Sequence, residues 1–128
     1  MDAVLSETLR LFPPAVILSR RASKDYTLRN TGITIPKDTV IFIPVYSMRH
    51  DPDNFPDPET FKPERFFPEN RNHPPYTYMP FGYGPRNCIA MRLALMEAKM
   101  ALLNAVYHYK FSISSNSEVI FQFLKRSF

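Results

Sequence analysis

The sequence has 128 residues, of which 45% are hydrophobic and 22% charged, a balance typical of one globular domain with a sizeable core. Its single cysteine excludes an internal disulfide and fits a reducing compartment, and its net charge of +4 is scattered, which argues against nucleic acid as a partner. No apolar run approaches the roughly 20 residues that a membrane-spanning helix needs.

The first predicted element is a helix over residues 2–12, which two consecutive prolines end. Glu7 and Arg10 are three residues apart in this helix and therefore share a face. Their apolar neighbours indicate that the pair is at least partly buried, and buried opposite charges must be paired. Arginine suits this role because its planar fork can hold one carboxylate through two hydrogen bonds.

A β region is predicted over residues 15–45, since it contains short runs rich in Val, Ile and Thr between turn residues. The candidate strands are Ala15–Arg20, Tyr26–Leu28, Ile33–Ile35 and Val40–Ile43. The turn at 36–38 predicts that the last two of these strands form a hairpin. A meander follows over residues 51–80, because nine of the thirteen prolines fall between Asp51 and Pro85 and leave room for few regular elements.

The strongest helix prediction covers residues 89–107, where good helix formers run without proline or glycine. Its apolar residues go most of the way round, which predicts burial on several sides, with much of the covering surface outside this chain. A weakly alternating stretch over residues 110–123 predicts a C-terminal hairpin that turns at 114–117.

The loop over residues 81–90 carries the one cysteine, Cys88, at the point where the long helix pattern begins. A helix N-terminus and a nearby cation such as Arg86 both favour the thiolate, the form that binds metal. A single thiolate is a poor zinc site, because zinc takes about four ligands. It suits an iron whose other ligands come from a porphyrin. The alternative is a buried structural cysteine at the start of a helix.

This loop resembles the haem-binding loop of the cytochrome P-450 monooxygenases, whose pattern is Phe-x-x-Gly-x-Arg-x-Cys-x-Gly. Phe81, Gly84, Arg86 and Cys88 match the pattern, and Ala90 stands where glycine is usual. The resemblance implies that Cys88 is the axial ligand of a haem b iron, with Phe81 and Ala90 beside the cofactor.

Two further motifs of that family occur in the expected order, so the resemblance covers the whole chain. Glu7-Thr8-Leu9-Arg10 is similar to its Glu-x-x-Arg helix motif, and Pro63–Phe66 is similar to its Pro-Glu-Arg-Phe motif. The resemblance implies that Glu7, Arg10 and Arg65 form a structural network that locks the meander beneath the haem loop.

The resemblance also implies contacts with the haem propionates from Arg20 and Arg86, and substrate-facing residues in two segments. The first segment consists of Ala15, Val16, Ile17, Leu18 and Ser19, and the second is the last hairpin turn at about 117–119. Asp38 stands in a turn where the family often has glycine.

Together these features predict a mainly α fold with small β-sheets, the C-terminal portion of a single cytochrome P-450 domain. The resemblance implies a monooxygenase that inserts one atom of dioxygen into a lipophilic small molecule. It further implies electrons from NADPH through a flavoprotein reductase, and residence on the cytoplasmic face of the endoplasmic reticulum membrane through an N-terminal anchor absent from this chain. The details of the loop and of the Pro-Glu-Arg-Phe-Phe run are similar to xenobiotic-oxidising animal members.

The family's full chain is about four times longer, and nothing here resembles its long distal helix, so this chain is expected to be a fragment that is inactive alone. Two alternatives stay open. In the first, the chain is a truncated, non-catalytic remnant or interaction piece. In the second, the full-length protein is a haem-thiolate isomerase or dehydratase. The first is distinguished by coding sequence upstream of Met1, and the second by the residues of the distal helix.

Overall fold

The structure, a computed structural model, describes residues 1–70 and 72–112. Within them lie three α-helices, which we call α1 to α3, and four short strands, β1 to β4. Their bounds are α1 Asp2–Leu11, β1 Leu18–Arg21, β2 Tyr26–Thr27, β3 Thr34–Ile35, β4 Val40–Ile43, α2 Val45–Arg49 and α3 Met91–His108. The predicted hairpin over 110–123 lies outside the described residues from 113 onward.

Helix α1 ends one residue earlier than the sequence predicts. The N–H of Phe12 still donates to the Thr8 carbonyl at 2.8 Å, but Phe12 has left helical geometry ahead of the prolines. Glu7, Arg10 and Leu11 are the buried residues of this helix. Its inward face therefore carries two opposite charges next to a leucine, as the three-residue spacing predicts.

The strands pair as two separate two-stranded sheets, so the predicted hairpin between Ile33–Ile35 and Val40–Ile43 is wrong. β2 pairs with β3, and β1 pairs antiparallel with β4, with Leu18 opposite Ile43 and Arg21 opposite Val40. The turn at 36–38 passes from one sheet to the other, because the N–H of Asp38 donates to the carbonyl of Ala22 at 2.8 Å. This bond continues the β1–β4 pairing and prevents a return onto β3.

Asp38 has φ 65°, in the left-handed region that glycine adopts freely and aspartate tolerates. We expect unfolding temperatures in the order Asp38→Gly at or above wild type, and Asp38→Ala below it. The alanine variant should lose about 1 kcal/mol, because its Cβ clashes in this conformation without a polar side chain to compensate. Thermal unfolding of the full-length protein measures this order. An alanine variant as stable as the glycine variant would contradict it.

Helix α2 and three 3₁₀ turns are regular elements that the sequence analysis did not predict. The turns are Pro63–Phe66, Pro68–Asn70 and Gly84–Arg86. Proline stands at the first or second position of the first and last of these turns, where its missing N–H costs nothing. The proline-dense meander thus contains single turns, and the buried side chain of Phe66 anchors the first of them.

The long helix is left uncovered within the part of the chain that the structure describes, so the predicted burial on several sides, much of it by surfaces outside this chain, stays a prediction. Helix α3 begins at Met91, two residues later than predicted, and none of its residues is buried. Several of its large apolar side chains are more than half exposed, among them Leu93, Met96, Met100 and Leu103. The reason is that only α1 packs against it here, through few contacts such as the ion pair between Lys99 and Asp2.

The hydrophobic core lies where α1, α2 and the meander meet. Its buried members are Leu11, Val45, Phe55, Phe66 and Met79. The predicted fold class, mainly helical with small β-sheets, is confirmed by this arrangement. Among the described residues, no helix is both long and apolar enough to cross a membrane.

Candidate functional site

The cysteine loop is a closed turn whose two ends are joined by one short hydrogen bond. The N–H of Cys88 donates to the carbonyl of Phe81 at 2.7 Å, and the N–H of Asn87 donates to Gly84 at 3.1 Å. Gly82 and Gly84 both have φ 75°, which residues with a Cβ rarely adopt, so these glycines allow the loop to close. The side chain of Cys88 is exposed at the end of this turn.

Cys88 precedes α3 rather than opening it. The helix begins at Met91, Ala90 is its N-cap, and the N–H of Met91 lies 3.4 Å from the Cys88 carbonyl. The sulfur therefore projects from the turn that leads into the helix. The side chain of Ile89, the next residue, is also fully exposed. The loop thus presents a thiol on an open surface instead of burying it, which disfavours a structural packing role for this cysteine.

The donor atoms available to a metal fit an iron that brings its own equatorial ligands. Within residues 1–70 and 72–112, no group of three or more His, Cys, Asp or Glu side chains is placed to hold a metal ion. Zinc would need about three or four such ligands. One exposed thiol on a rigid turn would supply a single bond to the metal, which is what a haem iron takes from a cysteine protein.

Two arginines predicted to contact the cofactor lie on or beside this loop. Arg86 is exposed within the turn Gly84–Arg86. Arg20 is half-buried in β1, and a Cβ built on Gly82 would lie 3.9 Å from its Nη2 atom. The β1–β4 sheet therefore brings the Arg20 guanidinium next to Gly82 of the cysteine loop, although the two residues are far apart in the sequence.

The predicted substrate-facing segment lies ahead of β1 and is open to its surroundings. Val16 and Ile17 expose about half of their side chains, Leu18 is half-buried, and Ala15 and Ser19 are exposed. The carbonyl of Val16 accepts a hydrogen bond from the N–H of Tyr46 at 3.1 Å, which fixes this segment to the start of α2. The second predicted segment, at 117–119, lies outside the described residues.

The predicted charge network has Glu7 at its centre and joins α1 to the meander. Arg10 Nε donates to Glu7 Oε2 at 2.8 Å and Arg10 Nη2 donates to Oε1 at 2.9 Å, a bidentate pair in which both side chains are fully buried. Glu7 Oε1 also accepts from the Lys62 N–H at 2.9 Å and lies 3.4 Å from Arg65 Nε. One carboxylate thus receives four donors, which stabilises its charge in the core.

The two arginines of this network also hold the meander through its backbone. Arg10 Nη2 donates to the Pro58 carbonyl at 2.7 Å, and Arg65 donates to the carbonyls of Pro56 and Asp57. The 3₁₀ turn Pro63–Phe66 orients Arg65, because Phe66 on the same turn is buried in the core. Helix α1 and the first part of the meander are therefore joined by hydrogen bonds to one ion cluster.

Arg49 belongs to the same assembly and was not found by the sequence analysis. It is 1% exposed at the end of α2 and its Nη1 donates to the Leu9 carbonyl at 2.7 Å. Its own carbonyl accepts from Arg10 Nη1 at 2.9 Å. Loss of solvent on burial lowers the pKa of Arg49 to about 10, so the group stays a cation at neutral pH. Because arginine is mostly exposed in proteins, no sequence signal marks this one.

Comparison with known proteins gives a consistent result along the whole chain. The family model described as Cytochrome P450 matches residues 1–127. Cytochrome P450 3A40 of Oryzias latipes is 47% identical over 123 residues, which cover 95% of this chain and 24% of that protein. Probable cytochrome P450 6a14 of Drosophila melanogaster is 44% identical over 129 residues, 100% of this chain and 25% of that protein. Cytochrome P450 9e2 of Blattella germanica is 42% identical over 130 residues, 100% of this chain and 24% of that protein. The chain spans about a quarter of the length of these curated relatives.

Proposed function

The chain belongs to the cytochrome P450 family, and from that premise we propose that it forms the cysteine-ligand side of the haem pocket in a longer monooxygenase. The proposed reaction inserts one oxygen atom of O₂ into a lipophilic small molecule. The second oxygen atom leaves as water, with two electrons and two protons supplied in the process. The observation that carries this proposal is the closed loop from Phe81 to Ala90, which presents the exposed Cys88 thiol on a turn fixed by a 2.7 Å hydrogen bond.

The residues that would hold haem b are those of the loop and of β1. Cys88 would bind the iron as a thiolate, Arg86 and Arg20 would pair with the propionates, and Phe81 and Ala90 would lie beside the ring. When bound, the haem with its thiolate ligand supplies cleavage of the O–O bond, which electron donation from the sulfur favours. The protein's part is to hold the sulfur in place on the closed turn.

The ion cluster of Glu7, Arg10 and Arg65 is proposed to keep the loop in position without touching the cofactor. It joins α1 to the meander, and the meander leads directly into the loop at Phe81. A buried cluster with four donors on one carboxylate has essentially one geometry. The chain therefore enters the loop from a segment held in one geometry, and this preorganises Cys88, the proposed iron ligand.

Partners and location follow from the same proposal. Electrons would come from NADPH through a flavoprotein reductase, because the cleavage of O₂ with insertion of one oxygen atom consumes two electrons. A lipophilic substrate and a position on the cytoplasmic face of the endoplasmic reticulum membrane are proposed for the full-length protein, by analogy with animal family members. An open apolar segment at 15–19 supports a lipophilic ligand on this side of the pocket.

The experiment that tests the function compares the full-length protein with residues 1–128 alone. Both are supplied with haem, reductase and NADPH, and a panel of lipophilic compounds is assayed for hydroxylated product and NADPH consumption. We expect turnover by the full-length protein only. Most of α3 is exposed among the described residues, and this part of the chain offers no element that would cover the other side of a bound haem. Exclusion of water there protects reactive intermediates.

Each outcome of this comparison has one meaning. Hydroxylated product coupled to NADPH consumption in the full-length protein supports the monooxygenase proposal. Rearranged or dehydrated product formed without NADPH would replace it by an isomerase or dehydratase. Turnover by residues 1–128 that is lost in Cys88→Ala would contradict the expectation that this chain is inactive alone.

A further inference from the structure

Arg49 is a buried cation that forms no ion pair with a carboxylate among the described residues. Within the described residues, the ion pairs of this region join Glu7 to Arg10 and to Arg65, and none includes Arg49. The Nε atom of Arg49 is buried and has no hydrogen-bond partner among these residues. A buried charge without a paired carboxylate is unfavourable, so its presence needs another explanation than ion pairing.

The guanidinium of Arg49 lies against the ring of Tyr78, with 5.3 Å between its Cζ atom and the ring centroid. This distance is within the range of cation–π attraction, which is strongest at desolvated sites. On its other side, Arg49 Nη1 donates to the Leu9 carbonyl of α1. Arg49 therefore lies between α1 and the last part of the meander and contacts both.

Tyr78 is fixed to α1 by a contact of its own. Its hydroxyl donates to the Ser6 carbonyl at 3.0 Å, and its ring packs against Phe66 with 4.7 Å between centroids. Tyr78 stands three residues before Phe81, whose carbonyl accepts the hydrogen bond from the N–H of Cys88. A shift of Tyr78 would thus move the residue that closes the cysteine loop.

We propose that Arg49 is a positioning residue for Cys88, acting through Tyr78: its guanidinium holds the Tyr78 ring against α1 and so fixes the entry to the cysteine loop. This inference rests on the proposed function, in which Cys88 binds the haem iron. It differs from the role of the Glu7 cluster, which holds the earlier part of the meander around residues 56–62.

The test uses the full-length, haem-loaded protein and its Arg49→Met variant, in which a flexible apolar side chain replaces the cation. The measured quantity is the fraction of the ferrous carbon monoxide complex that lacks the red-shifted band of thiolate ligation. We expect this fraction to rise about tenfold, a change that corresponds to about 1.4 kcal/mol and lies within the range of cation–π strengths. Arg49→Lys, which keeps the charge near the ring, should raise it less.

Controls separate positioning from a loss of fold. Arg29→Met removes an exposed arginine from the turn between β2 and β3 and should leave the fraction unchanged. Thermal unfolding is measured on every variant, since a purely structural role would lower the unfolding temperature without changing the ligation of the folded, haem-bound protein. If Arg49→Met does not fold, Tyr78→Leu removes the other side of the same contact and should raise the fraction similarly.

The results that overturn the proposal are distinct from failure of the proposed function. A wild-type protein without any thiolate-type band would refute the iron ligand itself, and the positioning role with it. A wild-type protein with that band, together with an unchanged fraction in folded Arg49→Met or in Tyr78→Leu, would refute the positioning role alone. Equal increases in Arg49→Lys and Arg49→Met would also refute it, because the cation over the ring would then be irrelevant.

Discussion

Replacing Cys88 by serine is expected to abolish the red-shifted carbon monoxide band of the reduced full-length protein, together with its monooxygenase turnover. The band requires a thiolate bound to the iron, and a serine hydroxyl at neutral pH supplies no thiolate. Cys88 is the one cysteine in this chain, so no neighbouring thiol in residues 1–128 can replace it. The measurement is the difference spectrum of the reduced protein with and without carbon monoxide.

A matched control for this substitution is Ile89→Ser at the next position. The Ile89 side chain is fully exposed in this chain, and its replacement adds the same hydroxyl to the loop while the sulfur stays in place. We expect the red-shifted band to persist in Ile89→Ser. A Cys88→Ser protein that keeps the band would show that another residue binds the iron.

Removing the carboxylate of Glu7 should produce a large loss of stability. Glu7→Ala leaves the fully buried Arg10 without its bidentate partner, and breaking a buried pair in this way costs about 3–5 kcal/mol. Arg10→Lys should lose nearly as much stability, because lysine cannot supply the planar guanidinium that donates two hydrogen bonds to Glu7. Urea unfolding of the full-length protein measures both, and Asp2→Ala, which breaks only the exposed pair with Lys99, is a control expected to have little effect.

The same residues allow a test of whether the cluster acts as one unit. Glu7 Oε1 lies near donors from both Arg10 and Arg65, so the effects of Glu7→Ala and Arg65→Ala should not add. We expect a coupling energy within about 0.5–3 kcal/mol, as is usual for residues in one network. Additive losses would mean that Arg65 acts independently, through its hydrogen bonds to the backbone at 56 and 57.

Helices α1 and α3 and the pairing of Glu7 with Arg10 could be foreseen because their signals are local. Glu7 and Arg10 share a helix face at a spacing of three, and consecutive prolines at 13 and 14 end α1. A proline-dense stretch with many aromatic residues predicts a packed meander, and Phe55 and Phe66 are buried there. The position of Arg65 beside Glu7 was an implication of family resemblance, since nothing in the spacing of the sequence joins residues 58 positions apart.

The strand pairing and the burial of Arg49 could not be foreseen for different reasons. β2 and β3 are two residues long, and such short runs carry too little of an alternating pattern to choose a partner strand. The composition of the turn at 36–38 suits a hairpin. However, the hydrogen bond from the Asp38 N–H to the Ala22 carbonyl shows that this turn connects the two sheets. Arg49 ends a five-residue helix, which is too short to show a buried face.

The central claim, that the Cys88 sulfur binds haem iron, is tested most directly by the iron–sulfur stretching vibration of the full-length, haem-loaded protein. Resonance Raman spectra are compared between protein grown on natural sulfur and protein grown on a heavy sulfur isotope. We expect an iron–sulfur band that moves to lower frequency with heavy sulfur and disappears in Cys88→Ser. A band that does not respond to the isotope, or that persists unchanged in Cys88→Ser, would contradict the claim.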